Sequence, residues 1–351
     1  MTTNVTNKRL LKEINTLYTQ QYNKNNILDN DYLVYLNEAN TNIVHAIIKS
    51  PHESVYRHKF IRLDFNIPHD YPHSPPSVTF INKDNVRIHP NMYEDGKCCA
   101  TILNTWPSDN EKWTSSMGIE TILIMFHSFL DNNPYTYEPG GRDDPSYTDY
   151  VLYQTWKTCL FDYLDDYEQP EIFIEFMQKY IIKNINAIYT YIYSLSYQYP
   201  FDYYETPCFE IDLFLVDYLS IVKLIESHYR KIIFTTSHVH IQPVLQVATN
   251  EFRNFDYNCN ICFDTLEDIT TPNVTLKCSH TFHKSCIDAH SKINGNICSI
   301  CRQQIVILDD FNQSENIYVI NPKTNRKIKV GGKIYNMMID LGYSFNRDEN
   351  L

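Results

Sequence analysis

Glycine is scarce in this chain, with eight in 351 residues, and beside 28 tyrosines this marks compositional drift rather than low complexity. Hydrophobic content of 43%, a third of it aromatic, excludes wholesale disorder. Positive charge is in deficit: 30 Lys and Arg stand against 42 Asp and Glu. The formal net charge of −12 argues against a main task of coating nucleic acid or an anionic membrane. No long apolar run exists: the long uncharged stretch Asn184 to Phe201 is full of Asn, Tyr, Ser and Gln and does not suit a membrane span. The opening Met1-Thr-Thr-Asn-Val has neither a basic nor an apolar signal region, so no secretory export is expected. Ten cysteines without such a signal, six of them in a metal-type spacing, point to a reducing compartment. The expected location is the cytoplasm, with the nucleus left open.

Against these absences stands one dense stretch, Arg87-Ile-His-Pro-Asn-Met-Tyr-Glu-Asp-Gly-Lys-Cys-Cys-Ala-Thr-Ile-Leu-Asn-Thr-Trp106. Pro90, Asp95 and Gly96 force turns before Cys99, and Ile102 and Leu103 behind it can anchor the loop on a core. A sulfur placed so is pinned yet reachable, and a thiolate attacks acyl groups well. Alternation along an extended segment turns its neighbour Cys98 the opposite way, into the core. Asn91 can offer a side-chain N–H to an oxyanion or brace the loop through turn hydrogen bonds. His89 reads more as a structural histidine bonded to backbone than as a proton carrier.

The surrounding pattern is mixed. Residues 5–20 carry Leu10, Leu11, Ile14 and Leu17 at helical spacing with Lys8, Arg9 and Lys12 on the other side. Runs at 32–36, 43–48, 59–67 and 77–81 are β-branched and aromatic, separated by turns, and predict an antiparallel meander. Helices are expected at 117–131, 147–165 and 170–193, and a further one from Thr206-Pro207 to about Phe234, with Leu213, Val216, Leu219 and Val222 as its inward stripe. Residues 200–250 carry no recognisable chemistry, and Cys159 and Cys208 read as core.

A second motif follows: Cys259-x2-Cys262, Cys278-x-His280-x2-His283-x2-Cys286 and Cys298-x2-Cys301. Eight thiol and imidazole residues in four pairs supply two tetrahedral zinc shells, closed and therefore structural. Beyond them, Ile320 to Tyr335 is basic against an acidic whole and reads as a short hairpin.

His89-Pro90-Asn91, the eight-residue step from Asn91 to Cys99, the run Tyr71-Pro-His-Ser-Pro-Pro76 and Trp113 together resemble the catalytic core of ubiquitin-conjugating enzymes. Ile102-Leu-Asn-Thr-Trp106 and Glu138-Pro-Gly140 add a likeness to the large Apollon/BRUCE-type enzymes. The zinc pattern resembles a RING finger, which interleaves its pairs. One ion would take Cys259, Cys262, His283 and Cys286, the other Cys278, His280, Cys298 and Cys301.

These resemblances imply an α+β ubiquitin-conjugating fold, an antiparallel meander with packed helices, at 1–168. A helical extension and spacer at 169–250, a small cross-brace RING at 253–306 and a basic tail at 307–351 would follow. Cys99 would accept ubiquitin from the activating enzyme as a thioester and pass it to lysines of protein substrates, with Asn91 and His89 at the same site. Lys8, Arg9 and Lys12 would dock the activating enzyme and ligases, unless they form only a solvated face. Ile261 and Arg302 match positions through which a RING holds a charged conjugating enzyme, here within the molecule or in a dimer. Departures from the family are His290 and Ser299 on the RING, and His73, Ser115 and Ser116 opposite, where larger or apolar residues are common. The acidic residue that usually helps orient the incoming lysine falls near Thr136, and Glu138 is the substitute at hand. The tail looks like an adaptor-type repeat of large DNA viruses, implying work in a host cell. A non-catalytic ubiquitin-binding adaptor, or an enzyme for a ubiquitin-like modifier, are the alternatives.

Overall fold

The computed structural model describes residues 7–106, 112–238, 258–266 and 272–307, together with the backbone of two short strands at 318–320 and 327–329. Helix α1 (Lys8–Asn23) begins where Asn7 accepts a hydrogen bond from Leu10 N at 3.1 Å, and its Leu10, Ile14 and Leu17 are buried at the spacing the sequence set. Strands β1 (Tyr32–Leu36), β2 (Ile43–Lys49), β3 (Phe60–Asn66) and β4 (Ser77–Phe80) then pair in chain order, all antiparallel. Register sets Ala46 against Leu63 and Leu63 against Phe80. On β4 the alternation is clean, with Val78 and Phe80 buried and Ser77 and Thr79 exposed.

Helix α2 (Ile119–Phe129) buries Ile119, Ile122, Leu123 and Phe126. Helix α3 (Pro145–Trp156) starts on an Asp144 cap and a proline, then runs through a π-helical turn (Lys157–Phe161) into the short α4 (Asp162–Leu164). The long α5 (Glu171–Gln198) carries a seam of buried Phe173, Phe176, Met177, Ile181, Ile185, Ile188, Ile192 and Leu195. Cys159 and Cys208 are buried, as expected.

The helix expected from Thr206 does not form there. Thr206 ends β5 (Asp202–Thr206), which pairs with β6 (Asp212–Val216) in a hairpin, and α6 begins only at Tyr218 and runs to His238. Phe209 and Glu210 sit at φ +54° and +58°, a left-handed turn no helix accommodates. Period two replaces period 3.6: Phe214 and Val216 are buried while Leu213, at 63%, is exposed. Leu219 is exposed as well, and the inward face of α6 is Tyr218, Ile221, Val222, Ile225 and Ile232. These side chains join one apolar cluster that runs from Leu10 through the sheet to Ile232, so the extension packs on the sheet-and-helix body.

Two short strands, β7 (Asn273–Thr275) and β8 (Thr281–His283), and helix α7 (Lys284–Asn294) frame a second, much smaller cluster around Leu276 and Phe282. In the tail, β9 (Tyr318–Ile320) pairs antiparallel with β10 (Lys327–Lys329), which is the backbone of a hairpin. The rest of the basic segment lies outside the described residues.

Candidate functional site

The loop between β4 and the nucleophile is stitched to the sheet edge. Gly96 O accepts from Phe80 N at 2.7 Å and Gly96 stands at φ +85°, where a Cβ would meet Phe80 O at 2.7 Å. Only glycine fits that turn. Asp95 accepts from Lys97 N at 2.9 Å and closes the turn from the other side.

Beyond the turn, Cys99 and Asn91 lie side by side in a reciprocal pair. Cys99 N donates to Asn91 O at 2.9 Å, and the Asn91 side-chain amide donates to Cys99 O at 2.7 Å. Asn91 therefore serves as a brace in this state. His89, wholly buried, accepts from Asn91 N through Nδ1 at 3.0 Å and stacks on Phe129 at 5.5 Å. Burial lowers its pKa to about 3, so it is neutral and sits beneath the loop as a prop rather than beside the sulfur as a base.

The two adjacent thiols differ in direction. Both residues are almost fully covered, Cys98 at 2% and Cys99 at 3%, so residue exposure does not separate them. Cys98 belongs to the apolar cluster, where desolvation pushes its thiol pKa far up, and borders only a depression of about 430 Å³. Cys99 lines a larger cavity of about 640 Å³, together with Trp106, Thr136, Glu138 and, from the zinc-motif region, Arg302. Its Sγ donates to Thr105 O at 3.1 Å. Thr136 Oγ1 is occupied by Asn133 O at 2.7 Å, which leaves Glu138 as the carboxylate of the cavity wall.

One contributor had no signal in the motif. The Arg87 guanidinium lies 3.7 Å over the Tyr93 ring and 4.4 Å over that of Phe209, at the tip of the β5–β6 hairpin. Phe209 also meets Tyr135 and Tyr147 at 5.4 and 5.2 Å. The extension thus buttresses the loop that carries Asn91 and Cys99; the left-handed turn that lets Phe209 reach it could not be read from residue types.

The eight sulfur and imidazole residues collect into two groups, Cys259, Cys262, His283 and Cys286, and Cys278, His280, Cys298 and Cys301, with ligand atoms within 4.8 Å of one another in each. They are the two sets the interleaved order implies. Nδ1 of His283 lies 3.2 Å from Cys262 Sγ and 4.0 Å from Cys286 Sγ, and Nδ1 of His280 lies 3.4 and 3.6 Å from the sulfurs of Cys278 and Cys298. Around a tetrahedral zinc a sulfur and a nitrogen stand about 3.6 Å apart, so these donor sets fit the ion. His283 Nε2 donates to Thr265 O at 3.1 Å, which leaves Nδ1 free to ligate.

Of the residues expected to meet partners, Lys8 is exposed, whereas Arg9 is buried at 4% and does not share a solvated basic face. Its guanidinium donates to Met117 O at 3.2 Å and lies 3.3 Å from the centre of the Phe263 ring. Lys12 pairs with Asp264. Arg302 donates to Lys112 O at 2.6 Å, and Ser116 Oγ donates to Ser299 O. Ile261 is buried with Leu276 and Phe282.

Residues 9–144 match the family model described as ubiquitin-conjugating enzyme, and residues 257–302 the one described as ring finger domain. The chain therefore carries a ubiquitin-conjugating domain followed by a RING finger, the fold the helices and meander display. Among similar proteins, Ubiquitin-conjugating enzyme E2 Z of Danio rerio is 33% identical over 130 residues, which cover 35% of this chain and 39% of that protein. Human "Dual E2 ubiquitin-conjugating enzyme/E3 ubiquitin-protein ligase BIRC6" is 35% identical over 123 residues, covering 33% of this chain and 2% of that protein. The chain thus spans less than half the length of either relative. A solved structure, the H. polymorpha ubiquitin conjugating enzyme Pex4p in complex with the soluble domain of Pex22p, aligns over 44% of this chain and 98% of that chain with a TM-score of 0.37 and 23% identity.

Proposed function

We propose that this chain accepts ubiquitin from the activating enzyme as a thioester on Cys99 and transfers it to lysines of protein substrates, with its own RING promoting the transfer. The observation that carries the reading is a single cavity of about 640 Å³ bordered by Cys99 of the conjugating domain and Arg302 of the RING. In charging, the Cys99 thiolate attacks the carbonyl of the incoming thioester; a new C–S bond forms and the activating enzyme's thiolate leaves. In transfer, a lysine amine attacks the same carbonyl, the C–N bond forms, the Cys99 thiolate departs and the amine loses its proton.

Asn91 keeps Cys99 in register and can turn its amide toward the oxyanion once the Cys99 carbonyl is released. Neutral His89 holds the loop and moves no proton. Glu138, on the cavity wall, is the carboxylate in reach of an incoming ammonium group. Two zinc ions, one per four-ligand group, would supply folding energy to the RING and no open coordination position. The contacts of Arg9, Lys12, Ser116 and Arg302 support docking of the RING on the conjugating domain of the same chain, with a dimeric contact as the variant arrangement. We place this work in the cytosol, where the cysteine ligands stay reduced, and read the basic tail as an adaptor-type docking element of a viral protein.

The test is incubation with activating enzyme, ATP and ubiquitin, with ubiquitin-like modifiers in parallel. A thiol-sensitive adduct is expected on the native chain, none on Cys99→Ala, a thiol-resistant oxyester on Cys99→Ser, and near-native charging on Cys98→Ser. An adduct that survives in Cys99→Ala or disappears in Cys98→Ser overturns the assignment.

A further inference from the structure

The RING and the conjugating domain meet through groups that are polar where interfaces are usually apolar. Ser115 and His290 have no exposed surface, and Ser299 is 1% exposed. Ser115 Oγ lies 3.0 Å from His73 Nδ1 and 2.8 Å from His290 Nδ1. Asn294, one helical turn beyond His290 on α7, places its Nδ2 3.4 Å from the same His290 nitrogen and donates to His73 O at 3.2 Å. Charged groups sit outside this centre: Lys12 pairs with Asp264, both partly exposed, and Arg302 donates to the Lys112 carbonyl.

The arrangement has a direction. An amide Nδ2 can only donate, so His290 Nδ1 is an acceptor and its proton is on Nε2, a buried nitrogen without a hydrogen-bond partner among the described residues. A serine has one hydrogen; Ser115 gives it to His290 and accepts from His73, whose proton is on Nδ1. Burial lowers the pKa of both rings, His290 to about 4, so both are neutral near pH 7, and Asp70 is the charged group that pulls His73 the other way. The bonds made by the two Nδ1 atoms fit one tautomer of each ring.

Resting on the reading that the RING acts on this conjugating domain, we infer that His290 and Asn294 read Ser115, and that this buried bond sequence dedicates the RING to a conjugating surface carrying a hydroxyl there. A conjugating enzyme with an apolar side chain in place of Ser115 would remove the shorter of the two bonds to His290 Nδ1, leaving only the 3.4 Å contact from Asn294 in a site that water does not reach. Loss of one buried hydrogen bond of this kind corresponds to about a two- to tenfold weaker contact. Charged pairs at the edge cannot supply that discrimination, because water screens them. The selectivity therefore resides in the neutral centre.

The test is a double-variant cycle in the full-length, zinc-loaded chain, with Ser115→Ala, His290→Leu and the two together. Two quantities are read: the single-turnover rate of ubiquitin discharge from Cys99 to free lysine, and the rate at which a chromogenic chelator strips zinc. Each single variant is expected to slow discharge and speed zinc loss about tenfold, and the pair to be no worse than the worse single, because the bond between Ser115 and His290 is already lost in either single variant. Effects that multiply, to about a hundredfold in both readouts, overturn the inference. If discharge does not respond to the RING at all, the proposed coupled function fails, and the zinc-loss cycle still decides whether Ser115 and His290 are coupled.

Discussion

The conjugating domain and the RING solve the problem of stability by different means. The first buries a continuous apolar cluster from Leu10 to Ile232 that includes Trp113, Trp156 and most of the sheet. Around the second, the buried hydrophobic set among the described residues is seven, and two of these, Cys259 and Cys298, belong to the metal-ligand groups. A core of that size cannot hold a domain of about fifty residues without a staple. One half of the molecule is therefore specified by side-chain packing and the other by the ions its sulfurs and imidazoles would hold.

The largest effect that could break this contrast is metal removal. Chelation should unfold residues 258–307 while leaving the melting of the conjugating domain in place, since structural zinc contributes about 10–16 kcal/mol per site. Elemental analysis should give two ions per chain before chelation. A single melting transition that carries both domains down together would show that they are not independent.

Acid should separate the halves in the opposite sense when zinc is already absent. The pKa of His89 is lowered to about 3 from 6.5 by burial, and that of His58 likewise to about 3 by burial and the neighbouring Arg57 and Lys59. A depressed histidine binds its proton first in the unfolded chain, so its contribution is complete above about pH 6.5 and is lost as pH falls toward 3. The slope is about 1.4 kcal/mol per unit for each ring. Denaturant midpoints of the chelated protein at pH 7, 6 and 5 should fall steadily; a flat series would mean that these rings are not held neutral.

Phe209→Ala tests whether the extension belongs to the packed half. Partial loss of an aromatic contact costs about 2 kcal/mol, and with Arg87 freed from its sandwich, charging of Cys99 should slow severalfold. Unchanged stability and charging would reduce the hairpin to a passenger. The smallest effect is expected from Lys12→Ala or Asp264→Ala, whose side chains are 40% and 57% exposed. Their loss should change discharge by no more than about twofold and vanish in high salt.

What could be read from the sequence was what is local in it. The four strands, the Gly96 turn, the opposed directions of Cys98 and Cys99 and the ligand spacing all depend on neighbours within a few residues, and the structure places them as the pattern implied. Thr206-Pro207 misled because a cap and a proline also suit the end of a strand, and Leu213, Phe214, Leu215 and Val216 are all apolar, so their residue types carry no period of two; the alternation appears only in their burial. The meeting of Ser115 with His290 spans 175 positions. No period or spacing encodes it. His73, Ser115, His290 and Ser299 looked like losses of contact when each surface was judged alone; His73, Ser115 and His290 bond in one sequence, while the Ser299 carbonyl takes the Ser116 hydroxyl.

The buried carboxylate of Glu13 has a consequence for how the RING is met. It accepts from Tyr71 Oη at 2.6 Å and from Ile119 N at the start of α2, and Gly118 is glycine because a Cβ would strike that carboxylate. Trp113 Nε1 donates to Pro72 O at 2.7 Å and closes the other side. The loop bearing His73 and the loop bearing Ser115 are thereby riveted to each other and to α1 before any contact is made. Two surface loops would ordinarily surrender conformational freedom on association; these have surrendered it during folding, so the proposed docking on them would carry little entropic penalty even with a small polar footprint.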